Sequence, residues 1–319
     1  MAMQILDIHT HLGDLLYPQG GSLIERTGVQ KKRDFLDLLE RNHWPDWPLL
    51  YRFPFNKFTH RLTIRAGSNR NAAATRENMM VEMAKYGIDY TVTLPVYPRV
   101  SFSDLHAAYR KDDHILPFTG VDFDDLSGMP GKLRADVEHG ARGMKLHPIL
   151  QRVNFDDVRM YDVVEAFSIY ELPILVHAGF AFYYLSKEEQ ILEKPEFGDM
   201  IPLEQLVRDF PRTRFIIGHA GLGEYQMVLE RFAQLPNIYV DTSFQPAHVI
   251  EQLIDVLGVN RVLYGSDWPW GGMQVALECV EKACKGDRYK EEAILFENGA
   301  NLIRLGELKK MKAQKEEGF

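Results

Sequence analysis

Eight short runs of β-forming, largely apolar residues recur along the chain, each followed by a turn and a helix-like stretch. They are "MQILDIH" (3–9), "YTVTLPV" (90–96), "ILPFTGVDF" (115–123), "GMKLH" (143–147), "PILVH" (173–177), "RFIIGH" (214–219), "IYVDTS" (238–243) and "RVLYGSD" (261–267). Most are nearly unbroken in apolar side chains, as strands covered on both faces must be. Helical patterns fill the gaps, among them "TRENMMVEMAKYG", "DVRMYDVVEAFSIY" and "AHVIEQLIDVLG". Several close on Gly or Pro, the usual stop signals. A helix between consecutive strands forces them parallel, so eight such units specify an α/β fold, a (β/α)8 TIM barrel. A doubly wound open sheet would place a glycine-rich phosphate turn after the first strand, and "HTHLGD" is not one. Residues 1–319 read as one barrel domain with a polar tail over 306–319.

Two connections are too long for ordinary βα loops. Residues 12–75 form an insert after the first strand that carries the aromatic-rich "HWPDWPLLYRFPFNKF" (43–58). Residues 178–202 form the second, with "FAFYYLSKEEQILEKPEF". Both follow strands and so belong to the barrel face where active sites assemble. A lid or substrate wall is one reading of them. An apolar interface to another subunit, making a homodimer, is the other.

The polar residues at the strand ends carry the chemistry. His9, His11, Asp122, Lys145, His147, His177, His219, Asp241, Ser243 and Asp267 all lie there, and a barrel brings these ends to one rim. Four of the eight runs end in His. In a strand, alternate side chains share a face, so Asp7, His9 and His11 point the same way. A single rim histidine needs no function, but their convergence is the pattern of a metal site. His9, His11 and His177 offer three nitrogens and Asp267 an oxygen, a donor set suited to zinc, with manganese, iron or cobalt as alternatives. His219 then faces the ion without binding it and serves as acid or base. Asp7, deeper on the first strand, either supports a ligand or bonds a neighbouring strand.

"DIHTH", "LPILVHAG", "FIIGHAG" and "LYGSDWP" resemble the strand-1, strand-5, strand-6 and strand-8 motifs of the amidohydrolase superfamily. The likeness is greatest to the branch that contains aminocarboxymuconate-semialdehyde decarboxylase and related metal-dependent hydrolases. It runs from about Ile5 to Leu305, the two inserts excepted. The resemblance implies one divalent metal on His9, His11, His177 and Asp267, with His219 and Asp267 catalytic. Other superfamily members bridge two metals with a carboxylated strand-4 lysine, and "GMKLHP" places Lys145 on strand 4. In that arrangement His219 becomes a ligand. The simpler reading has Lys145 pair with a carboxylate or an anionic substrate, and His147, on the same strand face, help to bind it.

The first expectation for function is hydrolysis of a small lactone, ester, amide or C–C bond. An ion-activated water, its pKa lowered to about 7, attacks the carbonyl and Asp267 carries the proton. The alternative is non-oxidative decarboxylation of an unsaturated or aromatic carboxylic acid. Arg52, Arg61, Arg65 and Arg70 are candidate anchors for such an acid, and Trp44, Trp47, Phe53 and Phe55 candidate walls. A structural metal in a non-catalytic barrel is a third reading, which would not require an Asp and a spare His at the active rim.

Composition bounds the remainder. A formal net charge of -8, with no strongly basic block, argues against a nucleic-acid partner. No apolar run reaches membrane-spanning length and no leader-like segment precedes Met3, so neither a membrane partner nor secretion is expected. Cys279 and Cys284 are five apart in a helical segment and suit neither a zinc knuckle nor a disulfide framework. Free thiols in a cytoplasmic protein are the expectation.

Overall fold

The computed structural model describes residues 3–31 and 55–308. Trp44, Trp47, Arg52 and Phe53 of the first insert lie outside them, as do residues 309–319 of the tail. Nothing on the aromatic wall expected there can therefore be set beside the structure.

Eight strands occur in the expected order: β1 (Leu6–Thr10), β2 (Tyr90–Thr93), β3 (Ile115–Pro117), β4 (Met144–Leu146), β5 (Ile174–His177), β6 (Phe215–Gly218), β7 (Ile238–Asp241) and β8 (Val262–Leu263). All neighbouring pairs are parallel, in one ladder β1-β2-β3 and another running β4 to β8. Two seams join the ladders into a closed barrel. At the first, Thr119 pairs with Met144, its N–H donating to the Gly143 carbonyl at 2.8 Å while Lys145 N–H returns to the Thr119 carbonyl. At the second, Thr10 pairs with Trp268, and Asp267 N–H donates to the His9 carbonyl at 2.7 Å. Ligand candidates from opposite ends of the chain thus meet at a backbone hydrogen bond.

Local rules set the elements. Thr75 caps the helix Arg76–Tyr86 by accepting from Asn78 N–H, and Gly87 ends it in the left-handed conformation. Ser101 and Asp104 form a capping box at the helix Phe102–Tyr109. Along β5 the period of two divides the strand. Ile174 and Val176 pack in the apolar layer with Val163, Phe167 and Leu203, whereas Leu175 joins a second cluster with Ile216 and Leu263. Cys279 and Cys284 are buried free thiols.

The first insert is not all loop. Phe55–Asn71 is a helix, which its weak apolar periodicity did not announce. The second insert contains two 3-10 turns, Glu189–Leu192 and Pro195–Gly198. Its outer side exposes Phe180, Phe182, Leu185 and Ile191, while Tyr184 is buried and donates from its hydroxyl to the Leu16 carbonyl at 2.8 Å. Among the described residues, no helix is long and apolar enough to cross a membrane.

Candidate metal centre and active site

Four histidines meet above the barrel floor, and in three of them Nδ1 is already engaged. His9 Nδ1 donates to Asp241 Oδ2 at 2.8 Å. His11 Nδ1 donates to the Leu94 carbonyl at 3.0 Å, since a carbonyl can only accept. His219 Nδ1 lies 2.7 Å from Ser243 Oγ, whose own proton goes to Asp241 Oδ1, so here too Nδ1 is the donor. His177 Nε2 is buried without a hydrogen-bond partner among the described residues. With Nδ1 turned away, His9 and His11 direct Nε2 inward, and Lys145 Nζ lies 3.5 Å from that of His9.

The Nε2 atoms of His9 and His11 converge on a carboxylate. Asp267 Oδ1 is 3.2 Å from His11 Nε2 and 3.5 Å from His9 Nε2. It too is buried and has no hydrogen-bond partner. Lone pairs this close repel unless a proton or a cation lies between them, and a single cation serves them all. His9, His219 and Asp267 each offer a ligand atom within 4.8 Å of the others. His11 joins this group through Asp267, and His177 through a ring contact with His219 at 5.2 Å. The donor set fits a divalent transition metal held by imidazole and carboxylate. Asp241 is its outer support, tying His9 directly and His219 through Ser243.

Burial sets the electrostatics. It lowers the His9, His147 and His219 imidazoles well below the ordinary range and brings His177 down to about 3. It raises Asp267, against the opposing pull of His11, and lifts Asp7 to about 7. Lys145 falls to about 8, burial outweighing the Asp267 and Asp241 carboxylates.

Each residue expected at the site can now be placed. His9, His11, His177, His219 and Asp267 are brought together. Lys145 does not stand out at the rim: it is 1 % exposed, with Nζ 3.5 Å from His9 Nε2. His147 stacks on His177, ring centroids 4.3 Å apart and planes 6° from parallel, and its Nε2 meets Tyr183 OH at 3.0 Å. Asp7 Oδ1 accepts from the N–H groups of His9 and Ser266, pinning the two segments that carry His9 and Asp267. Asp122 stays out of the cluster and caps its own loop through Asp124 N–H. Of the four arginines, Arg61 and Arg65 are exposed, Arg52 lies outside the described residues, and Arg70 is buried with its guanidinium on the Trp270 carbonyl.

The backbone is unusual here. His219, Phe244 and Asp267 have φ of 56°, 60° and 55°, the left-handed region that non-glycine residues seldom enter. Asp241, Ser243, Tyr183, Trp270, Phe244 and Glu193 surround the cluster without having been given roles by sequence reasoning. "IYVDTS" did hold a signal, a carboxylate and a hydroxyl two residues apart at a strand end.

The amidohydrolase family model matches residues 7–284. A search of curated proteins finds no match to this chain. Solved structures align over nearly the full length. 5-Carboxyvanillate decarboxylase from Sphingomonas paucimobilis shares 16% identity, covering 95% of this chain and 99% of its own, at a TM-score of 0.63. A dihydroxybenzoic acid decarboxylase from Polaromonas sp. JS666, with bound manganese and the inhibitor 2-nitroresorcinol, shares 16% over 96% and 98%, at 0.63. A probable 2-pyrone-4,6-dicarboxylic acid hydrolase from Acinetobacter baumannii, with citric acid bound, shares 12% over 94% and 99%, at 0.59. At these identities the likeness establishes the barrel fold, including the TIM barrel expected from the strand rhythm.

Proposed function

Because the chain belongs to the amidohydrolase family, we propose that it is a metal-dependent enzyme acting on a small carboxylic acid, by non-oxidative decarboxylation. The observation that carries the proposal is the convergence of the His9 and His11 Nε2 atoms on Oδ1 of Asp267, which has no hydrogen-bond partner among the described residues. The choice of reaction reverses the order expected from sequence, where hydrolysis came first. Support for the reversal comes from the recurrence of decarboxylases of aromatic acids among the similar structures.

His9, His11, His177 and Asp267 would hold the ion, manganese being the metal in one similar structure and zinc the expectation from the donor set. A bound divalent ion supplies positive charge that fixes a substrate carboxylate beside a neighbouring oxygen. Asp267 and His219 lie 3.7 Å apart and are the proton carriers. One of them protonates the substrate carbon as the bond to the carboxylate breaks. The electron pair stays on carbon and CO2 leaves, so carboxylate plus proton gives product plus CO2. Asp241, through Ser243, holds the His219 proton on Nδ1, the nitrogen that lies 3.7 Å from Asp267 Oδ2. Lys145 and His147 contribute to holding the acid, the first as a buried amine and the second through Tyr183.

Hydrolysis is the second reading, supported by the Acinetobacter baumannii hydrolase and by the same Asp267 carboxylate, which would take a proton from water. A panel of aromatic acids, unsaturated acids and lactones, run on manganese- and zinc-reconstituted protein, separates the two. CO2 released in step with acid consumed supports decarboxylation. Proton release from lactones without CO2 transfers the assignment to hydrolysis, and turnover of neither class overturns both.

A further inference from the structure

The insert after β5 folds back over the ligand cluster and places Tyr183 against it. The Tyr183 ring meets His177 at 6.1 Å, His147 at 5.3 Å and Trp270 at 5.6 Å, the last at 88°. Its hydroxyl lies 3.0 Å from His147 Nε2. Which group donates follows from the other side of that imidazole. His147 caps the short helix Pro148–Gln151, its Nδ1 accepting the Leu150 N–H at 3.4 Å. A nitrogen that accepts carries no proton, so the ring is neutral and its proton sits on Nε2. His147 Nε2–H therefore donates to the Tyr183 oxygen, and the Tyr183 hydroxyl proton remains to be given elsewhere.

Its aromatic neighbour is in the same condition. Trp270 Nε1–H is a buried donor with no partner among the described residues. An indole N–H can only donate, and burying one unpaired is costly unless a ligand completes it. The Trp270 ring is set from behind: Arg70 holds its carbonyl, and Gly67 leaves room for the indole, which would lie 3.0 Å from any Cβ there. Tyr183 is set likewise. Its N–H donates to the buried Glu193 Oε2 at 2.7 Å, and Tyr184 next to it is anchored on Leu16.

We propose that Tyr183 O–H and Trp270 Nε1–H form a two-donor subsite that binds an anionic oxygen group of the substrate opposite the metal ligands. The pair makes Tyr183 and Trp270 specificity-determining residues, with His147 and Glu193 positioning Tyr183. The inference rests on the carboxylic-acid reading above, because two neutral donors facing a cation site select an acid bearing a second oxygen function.

The test uses zinc-loaded full-length protein, which is diamagnetic, with 2,6-dihydroxybenzoate and citrate as probes. The Trp270 indole resonance is identified by its absence in Trp270→Phe and followed by NMR during titration, with calorimetry in parallel. The expected result is a saturable shift of that resonance by at least one probe. Affinity for that probe should fall roughly tenfold or more in both Tyr183→Phe and Trp270→Phe, the scale of a lost hydrogen bond to a charged group. Metal content and near-UV circular dichroism confirm that each variant is folded and loaded. A probe that binds with full heat while the resonance stays still and both variants bind as wild type overturns the subsite alone. Absence of heat and shift with both acids overturns the carboxylic-acid reading and the subsite with it.

Discussion

His11 Nε2 and Asp267 Oδ1 stand 3.2 Å apart, and the Leu94 carbonyl holds His11 Nδ1 so that Nε2 is the nitrogen turned to the carboxylate. A cation shared by the two would link β1 to the end of β8. Asp267→Asn and His11→Ala should each lower bound metal from about one ion per chain to a small fraction, with activity lost in parallel. Elemental analysis after gel filtration measures it; full occupancy in either variant would rule out these ligands.

His219 separates the one-metal from the two-metal arrangement. As an acid or base it can be removed without losing the ion, so His219→Ala should keep its metal and lose turnover by roughly 10²-fold or more. Loss of half of two bound ions would instead assign His219 as a ligand beside a carboxylated Lys145.

Asp241 touches no substrate in this account, yet it orients His9 directly and His219 through Ser243. Asp241→Ala should weaken metal affinity roughly 10- to 100-fold, the usual cost of removing outer-shell support. Competition against a chelator of known affinity reads this directly. Asp7 acts one layer deeper. Asp7→Ala strands the His9 and Ser266 N–H groups and should cost about 1–3 kcal/mol for each, whereas Asp7→Asn keeps an acceptor and should cost less. Denaturant unfolding of the two variants provides the comparison.

Glu193 gives a pH signature. Burial raises its carboxyl from an ordinary 4.5 to about 7, against the pull of the Tyr183 and Tyr184 N–H groups. Between these values the folded chain keeps a proton that the unfolded chain has released, so stability falls as pH rises through that window and the loss is complete above about 7. Glu193→Gln removes the titration. Its melting temperature relative to wild type should climb from pH 4 to pH 8, by roughly a few degrees at the upper end. Parallel curves for the two proteins would place the titration elsewhere.

The barrel and the cluster at its rim were legible because both rest on short-range rules. Strand rhythm fixed the order of elements, and the rim position of His9, His11, His177, His219 and Asp267 followed from it. What escaped depends on the chain leaving those rules. "RVLYGSD" reads as one strand, but only Val262–Leu263 pairs with β7. Beyond it the backbone crosses to β1 and turns left-handed at Asp267. Tyr183, Trp270 and Glu193 sit on irregular segments with no periodicity, so their roles arise from tertiary contact alone. Arg70 shows the same limit. As a sequence letter it was one of four equal anchors, and only the fold distinguishes it by burying it beneath Trp270.

The left-handed backbone at His219 and Asp267 sets robustness against chemistry. An L-residue there costs of order 1–3 kcal/mol that glycine, and in part asparagine, would recover. Directed evolution for heat tolerance without selection for turnover should therefore erase these two side chains early, yielding a sturdier barrel that has forgotten its reaction.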